Sequence, residues 1–226
     1  MSWVKQGKLL IAPPDQAMDF FERRFLSTGF RFIAGLDEAG RGPLAGPVVA
    51  AAVILPIPRF PEKLSDSKKL LPEKRESLYE KILQTAVSIG IGVVEANEID
   101  RINIGRATQK AMAMAVSLLR EQPDMLLIDG ILPVPLALPQ RTIVKGDSLC
   151  VSIAAASIVA KVTRDRMMMA YHEKYPQYNF ARHKGYGTQE HREAIKRHGS
   201  CEVHRKTFRG VGDTVPTSLR DLGTIR

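Results

Sequence analysis

The 226-residue chain has few of the residues that build thiol or zinc sites, with two cysteines and five histidines. Two cysteines do not make a disulfide framework, and Cys150, in an apolar run, is expected to be a small buried residue. No histidine pairs with a cysteine at the spacing of a zinc site, and the His-Glu-x-x-His pattern of metalloproteases is absent. Disulfide scaffolds and zinc enzymes are therefore excluded as classes.

Long apolar runs are also missing. The apolar segment 9–12 is too short for the core of a signal peptide, and the run 43–58 is broken by prolines and falls short of a membrane span. We therefore expect a cytoplasmic protein with no membrane partner. No heptad pattern is present, so a monomer is expected.

Positive charge is in excess, since the formal net charge is +9 and the sequence pI is about 9.7. Such a balance favours a polyanionic partner, and nucleic acid is the first candidate. A basic protein with no such partner fits the net charge equally well, because net charge does not say where the charges lie.

Apolar periodicity and turn residues predict alternating strands and helices. Strands are expected at 30–36, 48–55, 87–95, 125–128 and 142–144, and helices at 15–26, 72–84, 104–119, 148–171 and 189–197, with a turn or short helix at 97–100. This order is typical of an α/β sheet with helices on its faces. The alanine and serine run 154–157 is suited to close packing of a helix against the sheet.

Four carboxylates fall where these elements begin or end. Asp37 and Glu38 follow the first strand, Asp129 follows a later one, and Asp147 precedes the long helix. Sites in α/β sheets assemble at such positions, and carboxylate oxygens bind Mg²⁺ or Mn²⁺. A regular strand points Asp37 and Glu38 to opposite faces, so the turn after residue 38 is expected to bring Glu38 back.

Each carboxylate also has an ordinary structural interpretation. Asp147 with Ser148 fits a helix N-cap, and Asp129 with Gly130 fits a common turn. The pair Asp37–Glu38 at the head of an apolar strand is the hardest to explain without a cation, since burying unpaired acids is costly.

A glycine turn, Gly40-Arg41-Gly42, follows the acidic pair. Glycine lets the backbone approach a phosphate or sugar closely, and a guanidinium donates two hydrogen bonds to a phosphodiester. Residues 40–45 formally fit a dinucleotide-binding fingerprint, but a proline and a strand follow where that motif needs a helix. Acids that bind metal next to a turn that binds phosphate indicate phosphodiester chemistry.

The chain from residue 32 to about 208 resembles the bacterial type 2 ribonucleases H (ribonuclease HII). The shared motifs are Asp-Glu-Ala-Gly-Arg-Gly-Pro-Leu-Ala-Gly-Pro (37–47), Asp-Ser-Lys-Lys-Leu (66–70), Leu-Ile-Asp-Gly (127–130), Val-Lys-Gly-Asp-Ser (144–148), the alanine-rich segment 152–165 and His-Lys-Gly-Tyr-Gly-Thr (183–188). The resemblance implies a ribonuclease H-like five-stranded mixed sheet flanked by helices, with a C-terminal helical extension. We expect an N-terminal extension at 1–29, a catalytic domain at 30–210 and a polar tail at 211–226.

The resemblance also implies an activity. Family enzymes cut the RNA strand of RNA–DNA hybrids, and they cut on the 5′ side of a single ribonucleotide in duplex DNA, the first step of ribonucleotide excision repair. Asp37, Glu38, Asp129 and Asp147 would then be the catalytic ligands of two Mg²⁺ or Mn²⁺ ions. The expected products are a 3′-hydroxyl and a 5′-phosphate.

The resemblance also implies which residues contact the substrate. Gly40, Arg41 and Gly42 would read the 2′-hydroxyl, and Tyr186 would pack on the neighbouring deoxyribose. The expected phosphate contacts are Ser67, Lys68, Lys69, Lys161 and Arg164. Tyr186 also fits an ordinary loop aromatic, and Lys161 and Arg164 also fit solvated helix residues.

Two other functions compete with this hypothesis. A non-catalytic nucleic-acid binder would use the same basic surface, but four clustered acids would repel its ligand. A junction resolvase would share the fold, whereas the glycine turn and Tyr186 favour selection of ribose. A replication clamp is a conceivable partner that no sequence feature supports.

Overall fold

The computed structural model describes residues 17–57, 64 and 71–212. The strands are β1 (Ile33–Ala39), β2 (Val48–Ile54), β3 (Ser88–Val94), β4 (Met125–Asp129) and β5 (Gln140–Ile143). The helices are α1 (Phe20–Leu26), α2 (Pro72–Thr85), α3 (Ala96–Ile102), α4 (Ile104–Ser117), α5 (Val151–Lys174), α6 (Phe180–His183) and α7 (Gln189–His198). Short 3₁₀ turns cover Gly146–Ser148 and Pro176–Tyr178.

The five strands form one sheet in the order β3-β2-β1-β4-β5. Strand β1 is antiparallel to β2 and parallel to β4, and β4 is parallel to β5, so the predicted mixed five-stranded sheet is confirmed. All seven residues of β2 are buried, as a strand covered on both faces requires. No helix in the described part of the chain is long and apolar enough to cross a membrane.

The chain divides into two compact units. Of the described residues, the first unit contains those up to Ala39 together with those in Val49–Val93 and Gln109–Val162, and it includes most of the sheet. The second contains Gly40–Val48, Val94–Thr108 and residues 163–212. The domain limits expected after residues 29 and 210 stay predictions.

In the first unit, α5 packs directly on β1. A Cβ atom on Gly35 would overlap the backbone of Ser152 and Ile153, so only glycine allows this approach. The expected close packing of the small-residue run is confirmed, because Ala154, Ala155 and Ala156 are all fully buried. The strand that carries Asp37 is thereby fixed against a rigid helix.

The N-terminus of α5 is capped by Glu22 of α1. One Glu22 oxygen, Oε1, accepts hydrogen bonds from the Ser152 backbone N–H (2.9 Å) and from its hydroxyl (2.6 Å). The predicted helix start at residue 148 is wrong, since α5 begins at Val151. The cap comes from 130 residues away in the chain, which local sequence cannot show.

Burial raises the pKa of the Glu22 carboxyl, which predicts a pH dependence of stability. A carboxyl with a raised folded-state pKa stabilises the fold below its unfolded pKa, and that contribution is lost as the pH rises through the folded pKa. We expect stability in urea to decline less from pH 4.5 to 8 in Glu22→Gln than in the wild type. Exposed Glu73→Gln should follow the wild type. Parallel declines in all three proteins would contradict this prediction.

Candidate active site

The acidic pair lies within β1 rather than after it. Asp37 pairs with Ala51 and Glu38 with Ala50 in the antiparallel ladder, which continues to Ala39. The predicted strand end at residue 36 is wrong because the backbone ladder continues through the two polar residues. Asp37 is the last of five consecutive buried residues in β1, and Glu38 and Ala39 are half-buried.

The parallel pairing of β1 with β4 brings a third acid into this neighbourhood. Leu36 is paired with Ile128, and the next residues of the two strands are Asp37 and Asp129. The charge of Asp129 contributes to the pKa of Asp37, so the two carboxyls are close enough to interact.

The fourth acid is tied to the third through the backbone. Asp129 Oδ1 accepts a hydrogen bond from the Gly146 N–H at 2.7 Å. Gly146 precedes Asp147, which is buried in the 3₁₀ turn. Asp147 therefore does not cap α5, which begins at Val151, so that ordinary interpretation is wrong. The turn interpretation of Asp129 and Gly130 stays a prediction.

Electrostatics at Asp37 favour a cation. Burial, followed by the charges of Glu38 and Asp129, raises the pKa of Asp37 well above its ordinary value. Its Oδ1 accepts the Glu38 N–H at 2.7 Å, and a hydrogen bond from the Ser157 side chain partly offsets the rise in pKa. The other oxygen, Oδ2, is buried and has no hydrogen-bond partner among the described residues. A buried carboxylate oxygen without a donor is costly unless a cation faces it.

The donor set fits a magnesium-type ion rather than a closed cage. Among residues 17–57, 64 and 71–212, no three His, Cys, Asp or Glu side chains form a group that could by itself hold a metal ion. Mg²⁺ keeps several waters and binds through one or two carboxylates plus substrate phosphate oxygens. The buried Oδ2 of Asp37 and the half-buried carboxylate of Glu38 fit that mode of binding.

In the second unit, the glycine turn (residues 40–42) lies beside the tyrosine loop (residues 184–187). The Leu44 N–H donates to the Gly185 carbonyl at 2.8 Å, and a Cβ on Gly42 would lie 3.9 Å from Cε1 of Tyr186. Arg41, Gly42 and Tyr186 are all exposed. The structure thus brings together the two motifs that the sequence predicts to contact the substrate sugar.

Gly40 cannot be replaced without rearrangement. Its φ of 94° lies in the left-handed region, and a Cβ there would overlap the Arg164 side chain.

Arg205, which sequence reasoning missed, holds the glycine turn from inside. Its Nη1 donates to the Arg41 carbonyl at 2.9 Å and its Nη2 to the Gly40 carbonyl at 2.5 Å, while Nε and Nη2 both donate to Gly46. Burial and then the charge of Arg164 lower the pKa of Arg205 to about 9, so the guanidinium remains charged at neutral pH. No local motif marks this residue, because its acceptors lie about 160 positions earlier in the chain.

Arg164 has a similar structural role, so its expected contact with phosphate is wrong. The side chain is 1% exposed and donates to the carbonyls of Pro47, Ala45 and Lys184. Residues of the segment 40–47 cover this side chain, since Cβ atoms on Gly40 and Gly46 would both meet it, whereas the helical sequence alone suggested a solvated face. We refer to Arg164 and Arg205 together as the arginine clamp.

The other predicted residues are placed less specifically. Lys161 is half-buried on α5 in the first unit. Ser67, Lys68 and Lys69 lie outside the described residues. Cys150 is fully buried, as expected.

The family model described as Ribonuclease HII matches residues 34–211. The chain belongs to the ribonuclease HII family. A Ribonuclease HII from Syntrophus aciditrophicus is 59% identical over 205 residues, covering 91% of this chain and 96% of that protein. The crystal structure of the ribonuclease H2 from Pyrococcus horikoshii superposes with a TM-score of 0.70 at 26% identity, covering 80% and 96% of the two chains.

A third comparison supports the fold alone. A ribonuclease HIII structure, Bst-RNase HIII in complex with Mn²⁺, superposes with a TM-score of 0.61 at 19% identity, covering 80% of this chain and 68% of that one. These matches confirm the ribonuclease H-like fold. As a ribonuclease HII, the chain is an endoribonuclease that degrades the RNA of RNA–DNA hybrids.

Proposed function

We propose that this ribonuclease HII also cuts on the 5′ side of a single ribonucleotide embedded in duplex DNA, and so serves ribonucleotide excision repair as well as removal of RNA primers. One observation carries the proposal: the exposed glycine turn is held next to the exposed ring of Tyr186, which is 48% accessible. Such a pair can contact one ribose and its neighbour without needing a long RNA strand.

The chemistry of each partner supports this role. The 2′-hydroxyl is the sugar group that RNA has and DNA lacks, and it both donates and accepts hydrogen bonds. The exposed residues Arg41 and Gly42 offer backbone groups to it with little side-chain obstruction. The flat ring of Tyr186 is suited to packing on a deoxyribose, which has no 2′-hydroxyl to interfere. Gly40, which is buried, provides the backbone bend of the glycine turn.

Asp37, Glu38, Asp129 and Asp147 are proposed to hold two Mg²⁺ or Mn²⁺ ions. When bound, these cations supply positive charge at the attacking water and at the leaving 3′-oxygen. The Glu38 N–H and the Ser157 side chain orient Asp37, and the Gly146 N–H orients Asp129. Cleavage leaves a 3′-hydroxyl and a 5′-phosphate.

Other proposed contacts serve affinity rather than selection. Ser67, Lys68 and Lys161 are proposed to contact substrate phosphates, which gives binding without sequence preference. The enzyme is proposed to act as a monomer.

The first experiment uses a labelled DNA duplex with one ribonucleotide, incubated with Mg²⁺ or Mn²⁺. We expect a single nick on the 5′ side of the ribonucleotide that EDTA abolishes, and no cutting of an all-DNA duplex or an all-DNA four-way junction. Cleavage of a long hybrid without the single nick would overturn the proposal and leave the family activity intact.

The variant Tyr186→Ala tests the selection step. We expect it to lower kcat/KM on the single-ribonucleotide duplex by about 10²-fold, as misplacement of a substrate costs, and to lower it much less on a long hybrid. Tyr175→Ala is a control outside the tyrosine loop and should leave the ratio of the two substrates unchanged. Equal losses on both substrates would assign Tyr186 a general role in binding.

A further inference from the structure

Three buried imidazoles lie directly beneath the tyrosine loop. His183, His191 and His204, here called the three-histidine cluster, are between 0% and 8% exposed. The rings of His183 and His191 stack with their centroids 4.5 Å apart, and His204 lies 5.2 Å from His191. Phe180 packs edge-on against His183 and His191. The cluster has no role in the chemistry proposed above.

The hydrogen bonds indicate which nitrogen of each neutral ring carries the proton and which accepts. His191 Nδ1 lies 2.9 Å from the Tyr186 carbonyl, which only accepts, so Nδ1 carries the proton and Nε2 of the neutral ring accepts. Nε2 faces His204 Nε2 at 3.0 Å, so His204 is protonated at Nε2. His204 Nδ1 then accepts from the Cys201 N–H (3.0 Å) and thiol (3.1 Å).

His183 completes the set of contacts from the other side. Its Nε2 lies 2.7 Å from the Tyr178 carbonyl and therefore donates, while Nδ1 accepts from the Gly185 N–H at 3.2 Å. The carbonyl of His183 accepts from the Tyr186 N–H at 2.9 Å. Both backbone polar groups of Tyr186 are thus bonded to histidines of the cluster. The Tyr186 carbonyl also accepts from the Thr188 N–H at 2.8 Å.

The cluster works in its neutral form. Burial is the main cause that lowers the pKa of His191 and of His204 to about 4, and it also lowers the pKa of His183. The rings are therefore uncharged at neutral pH. The nitrogens already face each other or a backbone group at hydrogen-bond distance, so the cluster is a hydrogen-bonded chain, and it is not a group that could hold a metal ion.

We propose that the three-histidine cluster positions Tyr186 for its contact with the substrate sugar. The backbone of Tyr186 is fixed by the buried histidines, while its ring remains exposed. A ring held in this way is preorganised, so less conformational entropy is lost when the sugar binds. This inference rests on the proposed role of Tyr186, and His191 acts through that residue rather than on the substrate.

The first test observes the wild-type enzyme by ¹⁵N NMR of the imidazoles at pH 7. We expect neutral His191 protonated at Nδ1, and neutral His183 and His204 protonated at Nε2. A charged His191, or one protonated at Nε2, would overturn the proposal. This measurement does not depend on whether the enzyme cuts at single ribonucleotides, so it separates failure of the inference from failure of the proposed function.

The second test compares His191→Leu with His191→Asn, whose amide nitrogen replaces Nδ1 as a donor to Tyr186. We expect the Leu variant to lower the ratio of kcat/KM on single-ribonucleotide duplex to that on long hybrid by about tenfold, the size of one lost positioning hydrogen bond. The Asn variant should retain most of the ratio, and exposed His198→Leu on the same helix should retain all of it. Equal losses on both substrates in the Leu variant would indicate a merely structural role.

A double-mutant cycle decides whether His191 acts through Tyr186. In the Tyr186→Ala background, His191→Leu should no longer change the substrate ratio. A full tenfold effect in that background would overturn the proposal. An unchanged ratio in Tyr186→Ala alone would remove the proposed role of Tyr186 and, with it, the positioning role of His191.

Discussion

Replacing Asp37 by Asn should abolish cleavage and at the same time raise the melting temperature of the metal-free enzyme. Loss of turnover is expected because cation-assisted phosphoryl chemistry depends on several kcal/mol of charge stabilisation, which corresponds to a decrease in kcat of about 10³-fold or more. Affinity for the hybrid should be retained, because Asp37 is buried and replacing its carboxyl by an amide removes no positive charge that could bind the substrate.

The gain in stability follows from the raised pKa of Asp37. Each unit by which the folded-state pKa exceeds the unfolded one costs about 1.4 kcal/mol once the group is ionised, and about 1 kcal/mol shifts the melting temperature of a chain of this size by about 2–4 °C. The stabilisation that a neutral amide provides at this position should be absent near pH 4 and should grow as the pH rises through the folded pKa of the wild-type carboxyl.

Melting curves in EDTA and in Mg²⁺ test this prediction. In EDTA, the variant should have a higher melting temperature than the wild type. Mg²⁺ should raise the melting temperature of the wild type more than that of the variant, since the ion binds the folded state through the intact carboxylate. Asp19→Asn, which removes a half-buried carboxylate that is paired with Arg23 at the start of α1, should change neither turnover nor the effect of Mg²⁺. Retained turnover in Asp37→Asn would contradict the assignment.

Replacing Arg205 by Lys should produce the second large effect. The guanidinium donates four hydrogen bonds to the carbonyls of Gly40, Arg41 and Gly46, whereas an ammonium has three donors and no planar fork. Each buried carbonyl left without a donor costs about 1–3 kcal/mol. We expect a clear loss of stability and a decrease of about 10²-fold in kcat/KM on the single-ribonucleotide duplex, since the glycine turn is no longer held.

Exposed Arg197→Lys is the matched control and should behave as the wild type. Assays at low temperature, where both variants are folded by circular dichroism, separate the loss of activity from the loss of stability. Wild-type kcat/KM in folded Arg205→Lys would show that the glycine turn keeps its shape without the guanidinium of Arg205.

Local patterns were sufficient to predict most of the strands and helices, whereas the mixed five-stranded sheet was predicted from the family resemblance. Apolar strands, the proline at the start of α2 and the small-residue run of α5 predicted elements that the structure confirms. The predicted boundaries are wrong where a contact between residues far apart in the sequence sets the start or the end of an element. The strand β1 continues through Asp37 because β2 pairs with it, and α5 starts late because Glu22 caps it. The sequence analysis missed the segment 176–183, because the 3₁₀ turn that begins at Pro176 and the four-residue helix α6 are too short to show apolar periodicity.

The residues of the candidate site also fall into two groups, those that local sequence could predict and those that it could not. The acids and the glycine turn could be found because they occur in short sequence motifs with a chemical meaning. The arginine clamp and the three-histidine cluster could not be found, because isolated Arg164, Arg205 and His191 look like surface residues of polar segments. Their burial and their backbone acceptors are consequences of tertiary packing.

Arg205 lies late in the chain, so the glycine turn that it holds is completed late in synthesis. All four carboxylates have left the ribosome before the residue that holds the glycine turn has been added to the chain. A partial chain that ends before Arg205 contains the acids and the turn but lacks four of the hydrogen bonds that shape the turn. Closing a loop of this length is slow compared with forming local contacts. We therefore expect the proposed selection of ribose to depend on a segment that is synthesised after all four carboxylates.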